Sequence, residues 1–83
     1  MQQPVRTAKQ LGQALRRQRR ALGLTQQELG RRTRLRQATI SGLESGAEGT
    51  QLGTLVAALA ALGLEIVVQP RIKAGPAEMP DLS

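Results

Sequence analysis

The chain has 83 residues, a net charge of +6, and no cysteine, histidine or aromatic residue. It therefore lacks thiolate metal ligands, a histidine general base, and any ring on which a single-stranded base could stack. We predict no metal and no cofactor. The length allows one domain. Because the hydrophobic core of so short a chain gives only marginal stability, we expect an oligomer.

No segment is typical of a membrane protein, a secreted protein or an enzyme. The first residues do not lead into a signal-type apolar run, and the longest apolar stretch, around Leu55–Leu62, is too short to span a bilayer. Paired carboxylates, a nucleophile with its base and a phosphate-cradling glycine loop are also missing. We expect a cytoplasmic protein that is not an enzyme.

Positive charge is concentrated in the first half of the chain. Residues 1–43 contain ten lysine and arginine residues and one acid, Glu28, whereas residues 44–83 contain two basic and five acidic residues. A basic half suits a polyanion such as nucleic acid. A merely solvated basic face explains the charge equally well, so the choice depends on the motifs.

Leucines at helical spacing, separated by glycines, predict four helices. Gly23 is expected to end the first helix in a left-handed conformation, and Gly63 ends the last. Thr25 and Glu28 form a capping box for the second helix, and Thr50 is expected to cap the fourth. The predicted helices are Thr7–Leu22, Gln26–Arg32, Gln37–Ser45 and Gln51–Leu62.

Each predicted helix carries apolar residues that we expect to form the core. The stripe on the fourth helix is long, and it can also extend into a dimer interface. The predicted core residues are Leu11, Leu15, Leu22, Leu29, Ile40, Leu43, Leu52, Leu55, Val56, Leu59 and Leu62.

The segment Leu64–Gln69 changes from a helical to a β pattern. It is rich in β-branched residues and stops before Pro70, which predicts the one strand of the chain. Because a lone strand leaves its backbone groups unpaired, we predict antiparallel pairing with the same strand of a second copy. Alternate side chains should then pack on the fourth helices. The predicted dimerisation residues are Leu64, Ile66, Val67 and Val68.

The division of the chain follows from these elements. Residues 1–70 are predicted to form one folded domain, and residues 71–83 a disordered tail that is rich in proline and glycine.

Between Leu24 and Gly46, two short helices are joined by a tight turn. In the second of them, Ile40 and Leu43 should point inward and fix the helix from behind. A DNA-recognition helix needs this arrangement, because its opposite face must be free to enter the major groove.

The outer face of this helix has residue types that read base edges. Glutamine bonds adenine, serine bonds several bases, arginine prefers guanine, and a small apolar side chain contacts the thymine methyl group. Gln37 and Ser41 share one face at i, i+4 spacing, Ala38 lies beside them, and Arg36 precedes the helix. Taken without the surrounding motif, these side chains would be read as ordinary solvated helix residues.

The segment resembles the Cro/repressor-like (XRE) helix-turn-helix family. The positions that carry the resemblance are Gln26, Gly30, Ile40, Ser41 and Glu44. The run RQATIS, the leucine-rich fourth helix and the strand after it are most similar to the HipB-type antitoxins of HipA–HipB modules. The similarity extends from about residue 7 to residue 69.

The resemblance implies a mainly α, lambda-repressor-like domain of four helices, with one C-terminal strand that pairs across a dimer. It implies a sequence-specific repressor of operator DNA that also neutralises a HipA-like kinase toxin. The alternative is a stand-alone Cro/repressor-like regulator without a toxin partner.

The resemblance also assigns roles to individual residues. Gln26 would bond a DNA phosphate and brace Gln37, and Arg19 would form a structural ion pair with Glu44. The side chains expected to contact DNA are Gln26, Arg31, Arg32, Arg36, Gln37, Ala38, Thr39 and Ser41.

Two positions depart from the family pattern. Gly30 stands where the family usually has alanine, and this costs about 1 kcal/mol of helix stability. Arg34 stands in the turn where the family usually has glycine, so a positive φ there adds strain on the order of 1 kcal/mol.

Overall fold

Residues 4–71 are described by the structure, a computed structural model, and they form four helices joined by short loops. The helices are α1 (Ala8–Ala21), α2 (Gln26–Thr33), α3 (Gln37–Glu44) and α4 (Leu52–Ala61). Each boundary lies within one residue of its prediction, so the mainly α, four-helix class is confirmed. The predicted tail lies outside the described residues, except for Arg71. No helix in the described part is long and apolar enough to cross a membrane.

Local side-chain hydrogen bonds begin the first two helices. The Thr7 hydroxyl accepts from the Gln10 amide at 3.0 Å. Thr25 and Glu28 form the predicted capping box, with hydrogen bonds of 3.0 and 3.1 Å. The prediction for α4 was wrong, because its cap is Gln51 rather than Thr50, and no side chain caps it. The Gln51 carbonyl accepts the amide of Leu55 at 3.1 Å, so the helix begins one residue later than Thr50 allows.

The core lies where the four helices meet, and it contains most of the predicted leucines. Three predicted members are instead exposed: Leu22 (50%), Leu52 (68%) and Val56 (46%). Leu22 lies beyond the last turn of α1, as its C-cap. In α4, Ala58 takes an inner position and is 1% exposed. The buried core residues are Leu15, Leu24, Leu29, Ile40, Leu43, Ala58, Leu59 and Leu62.

Helices α1 and α3 approach each other at Gly12. A Cβ atom at this position would overlap the main-chain carbonyl oxygens of Leu43 and Glu44. The backbone of α1 therefore rests directly on the C-terminal end of α3, without an intervening side chain. Only glycine permits this contact, which fixes the depth at which α3 lies in the fold.

Both departures from the family pattern lie where α2 leads into α3, with Gly30 inside α2 and Arg34 at its C-cap. Arg34 has φ 59° and ψ 31°, and it is the one non-glycine residue with positive φ in the described residues. The Leu35 amide donates to the Gly30 carbonyl at 2.9 Å, which folds the chain back onto α2. A Cβ on Gly30 would lie 2.7 Å from the Leu35 carbonyl oxygen. The turn is therefore tighter against α2 than an alanine would allow.

The segment after α4 begins at a fixed point. The side-chain amide of Gln18 donates to the Leu62 carbonyl at 3.0 Å, and the Leu64 amide donates to the Leu59 carbonyl at 2.9 Å. The first bond gives a partner to the carbonyl of the C-cap residue Leu62, and the second adds to the bond that the Leu59 carbonyl accepts from the Leu62 amide. The bond from Gln18 also ties the end of α4 to α1.

The predicted strand Leu64–Gln69 is not confirmed, because no β-strand occurs among residues 4–71. A β-ladder needs a neighbouring strand, and the described part of this single chain offers none. Leu64 packs against the core, whereas Ile66 is half exposed and Val68 is 94% exposed.

The tight turn predicts that an alanine at position 30 lowers the stability of the fold, opposite to what helix propensity alone would give. Gly30→Ala should destabilise the fold by about 1–3 kcal/mol, because its methyl group would collide with backbone, although alanine is the better helix former. Gly42→Ala is the control, since its Cβ would meet ordinary contact at 3.8 Å in α3. That change should stabilise the fold by about 0.5–1 kcal/mol. Urea unfolding of both variants gives the answer, and a stabilised Gly30→Ala protein would contradict the tight turn.

Candidate nucleic-acid interface

Helix α3 is held from one side and free on the other. Ile40, Leu43 and Glu44 are buried against the rest of the fold. At 100° per residue, Ala38 points away from this buried line, and Gln37 and Ser41 lie about 40° apart beside it. The N-terminal half of the helix thus presents a polar surface beside a small apolar one.

The side chains predicted to read bases occupy this surface. Arg36 is the N-cap of α3, but its side chain makes no capping hydrogen bond. Arg36, Gln37 and Ala38 are exposed, and Thr39 and Ser41 are half-buried. The structure therefore brings all five to one end of one helix, within reach of a common ligand.

Arg19 and Glu44 form a buried, two-pronged ion pair behind α3. The Nε atom of Arg19 donates to Oε2 of Glu44 at 2.6 Å, and Nη2 donates to Oε1 at 3.0 Å. Nη1 donates to the Leu24 carbonyl at 2.7 Å. Side-chain exposure is 10% for the arginine and 5% for the glutamate. One guanidinium thus connects α1, the loop before α2, and the end of α3.

Gln26 joins this pair and does not brace Gln37 as expected. Its Nε2 atom donates to Oε1 of Glu44 at 3.2 Å. A charged carboxylate is a stronger acceptor than a neutral amide, which explains the choice of partner. An amide group has a second N–H and an oxygen, so the prediction that Gln26 bonds a phosphate stays open.

The pKa of Glu44 is set by opposing effects of burial and of its hydrogen-bonding and charged neighbours. Burial raises the pKa, while hydrogen bonds from Arg19 and Gln26 and the nearby positive charges lower it, and the result is below the ordinary value. The pKa of Glu28 is also lowered, first by the hydrogen bond from the Thr25 backbone amide. Both carboxylates are therefore ionised at neutral pH.

Four exposed arginines surround the turn before α3. Their side chains make no hydrogen bond or ion pair with other residues in the described part of the chain. Three were predicted to contact DNA, and Arg34 was overlooked because it was considered only as a turn residue. The run RRTRLR is the signal that could have included it. The four are Arg31, Arg32, Arg34 and Arg36.

Comparisons with known proteins agree with this geometry. The helix-turn-helix domain family matches residues 10–69. Comparison with curated protein sequences gives no significant match. Together with the fold, the family match defines the class: a helix-turn-helix domain of the kind found in DNA-binding regulators. The chain belongs to this helix-turn-helix family, and the predicted Cro/repressor-like (XRE) membership is confirmed.

Solved structures place it beside HipB and other regulators. HipB in a HipA–HipB–O2–O3 complex is 32% identical, with a TM-score of 0.76 over 82% of this chain and 96% of that chain. The restriction-modification controller C.AhdI from Aeromonas hydrophila is 31% identical, with a TM-score of 0.64 over 70% of this chain and 88% of that chain. The clp gene regulator ClgR from Corynebacterium glutamicum is also 31% identical, with a TM-score of 0.66 over 78% of this chain and 82% of that chain.

The buried pair predicts a loss of stability in acid. Because the pKa of Glu44 is lower in the folded protein, the unfolded chain binds more protons, and stability rises with pH through this range. The contribution is complete above the ordinary glutamate pKa and is lost as pH falls through the lowered value. Urea midpoints measured from neutral to acidic pH should therefore fall.

Two variants assign this effect to its source. Glu44→Gln should lose about 3 kcal/mol at neutral pH, because it leaves the buried Arg19 without its counter-ion, and its stability should vary less with pH. Glu28→Gln keeps a capping side chain and the buried pair, so it should keep most of the acid sensitivity. A Glu44→Gln protein as acid-sensitive as the parent would exclude the pair as the cause.

Proposed function

We propose that this chain is a transcriptional repressor that binds double-stranded operator DNA through α3. The observation that carries the proposal is the N-terminal half of α3, whose outer side chains are exposed or half-buried while its inner face is held by the core and the buried ion pair. This is the arrangement of a recognition helix in the major groove. The similarity to HipB, which is seen in complexes with O2 and O4 20-mers, supports it.

The base-reading roles follow from side-chain chemistry. Gln37 can bond adenine with its amide, Ser41 can bond several bases, and Ala38 suits contact with a thymine methyl group. Thr39 lies at the flank of this surface. Gln26, Arg31, Arg32 and Arg36 supply contacts to phosphates, which fix the register of the helix on the duplex.

We further propose that the repressor is a symmetric homodimer joined through residues 64–69. Five of the seven large apolar side chains that are exposed in the described residues lie in α4 or in the segment after it. Pairing of this segment with its copy would provide the missing ladder and cover apolar surface. Residues 1–70 carry both functions in this proposal, and the tail from residue 71 is dispensable for DNA binding.

The most specific form of the proposal is an antitoxin that represses its own operon and neutralises a HipA-like kinase. Its support is the match to almost the whole length of HipB in a complex with HipA. A stand-alone regulator is the second candidate, and the similarity to ClgR and C.AhdI favours it. Copurification with a kinase-like protein encoded beside this chain distinguishes the two.

Selection from random duplexes tests DNA recognition itself. The purified protein should enrich a palindromic consensus, because a two-fold dimer reads two equivalent half-sites. If each subunit neutralises about four phosphates, log affinity against log salt should have a slope of roughly −7. The absence of enrichment, together with a slope near zero, would disprove the proposal.

Gln37 should carry sequence information, and Arg32 should not. Gln37→Ala is expected to lose about 1–3 kcal/mol on the selected site and to relax the preference at one base pair of each half-site. Arg32→Ala should weaken binding to all duplexes about equally, because phosphates are the same in every sequence. Repeating the selection with both variants decides the assignment. An unchanged consensus for Gln37→Ala would refute it.

Val67 provides a test of the dimer. Val67→Pro removes a backbone donor and restricts the chain, so sedimentation should show loss of the dimer, and operator affinity should fall with it. Affinity depends on the dimer because two recognition helices must be held about 34 Å apart. Val67→Thr keeps the amide and the β-branched shape and should remain dimeric. A Val67→Pro protein that stays a tight dimer would show association through another surface.

A further inference from the structure

Arg34 has a backbone conformation that glycine would adopt with less strain. Its φ of 59° is left-handed, and the other residues with positive φ in the described part are Gly23, Gly46 and Gly63. The side chain of an L-residue is crowded in this conformation. An arginine here thus has a conformational cost at a position where the fold has no need of it.

The neighbours of Arg34 hold the turn in place without its side chain. The Leu35 amide donates to the Gly30 carbonyl at 2.9 Å, and the Thr33 hydroxyl donates to the Leu29 carbonyl at 2.8 Å. Leu35 also packs against the core. The Arg34 side chain is exposed and makes no hydrogen bond or ion pair with the described residues.

One candidate role for the positive charge of Arg34 is stabilisation of the C-terminus of α2. Cations near the end of a helix interact favourably with its dipole. However, Arg31 and Arg32 already occupy the last turn of α2. A third cation adds little there, and a glycine would remove the strain. This role predicts that replacement of Arg34 weakens the fold.

The position of Arg34 relative to α3 points to another role. Arg34 precedes Gln37, the first residue of α3, by three residues, a span of at most about 11 Å. The major groove is about 12 Å wide and has a phosphate backbone along each edge. When the start of α3 lies in the groove, a long side chain from this turn therefore reaches the groove's edge.

We propose that Arg34 binds a backbone phosphate of the duplex at the edge of the groove that α3 enters. This inference rests on the proposed DNA-binding function and adds a contact that the recognition motif does not contain. A guanidinium binds phosphate oxygens with two parallel hydrogen bonds. The left-handed backbone fixes the direction in which the Arg34 side chain leaves the turn. In this proposal, the strained conformation is kept because it directs the guanidinium toward the phosphate.

The test separates stability from binding in the full-length chain. Arg34→Gly and Arg34→Asn remove the charge and tolerate positive φ, so their urea midpoints should equal or exceed that of the parent. Their binding to a mixed-sequence DNA duplex should be weaker, and the slope of log affinity against log salt should be shallower. The expected change is about 0.9 for each lost phosphate contact, or about 1.8 for a dimer.

Two further variants serve as controls. Arg34→Lys keeps the charge and should keep most of the salt slope. Arg20→Asn removes the same charge from the exposed side of α1, and its slope should stay close to that of the parent. Fluorescence anisotropy between about 50 and 200 mM salt gives these slopes.

Three outcomes would overturn the inference. If the Arg34 variants match Arg20→Asn in affinity and slope, Arg34 makes no phosphate contact, although the proposed function stands. If they unfold at lower urea concentration than the parent, the arginine serves the fold. If the parent binds no duplex at all, the inference and the proposed function fail together.

Discussion

The buried pair of Arg19 and Glu44 determines where α3 can lie. An eight-residue helix is unstable in isolation, so α3 depends on tertiary contacts for both its existence and its orientation. The guanidinium bonds the carboxylate through two nitrogens and the Leu24 carbonyl through the third, and Gln26 completes the group. Such a network adds little net stability compared with apolar packing, but it allows few alternative arrangements. The outward-facing residues of α3 are therefore held in one orientation by a polar contact on its opposite side.

Much of the fold could be predicted because its signals are local. A capping box, a glycine stop and a leucine period each involve a few neighbouring residues, and all four helices followed from them. The errors occurred where the outcome depends on distant contacts. Leu22 and Leu52 fit a helical stripe, yet they lie at the ends of α1 and α4 and face solvent, because whether a stripe position meets the core depends on where the other helices lie. The strand over residues 64–69 could not be checked from one chain, since its hydrogen bonds require a second strand.

In the candidate site, too, local motifs could be predicted from the sequence, whereas contacts between distant residues could not. The family motif was enough to select the residues on the outer face of α3 and to imply the pair of Arg19 and Glu44. It did not give the partner of Gln26, because that choice depends on a carboxylate 18 residues away in sequence. The contact between Gly30 and Leu35 was also beyond the sequence, where Gly30 looked only like a weak helix former. In the structure, the absence of its side chain permits the tight turn before α3.

The hydrogen bond from Gln18 to the Leu62 carbonyl has a consequence for how the protein could evolve or be redesigned. It ties the end of α4 to α1, which in turn rests on α3 at Gly12. In the proposed dimer, the distance between the two α3 recognition helices is then set by rigid contacts inside each subunit and by the few residues that follow Gly63. Adding or removing residues in that short connection would change the spacing of the half-sites while leaving their sequences untouched. Operator spacing and operator sequence are in this sense independently adjustable.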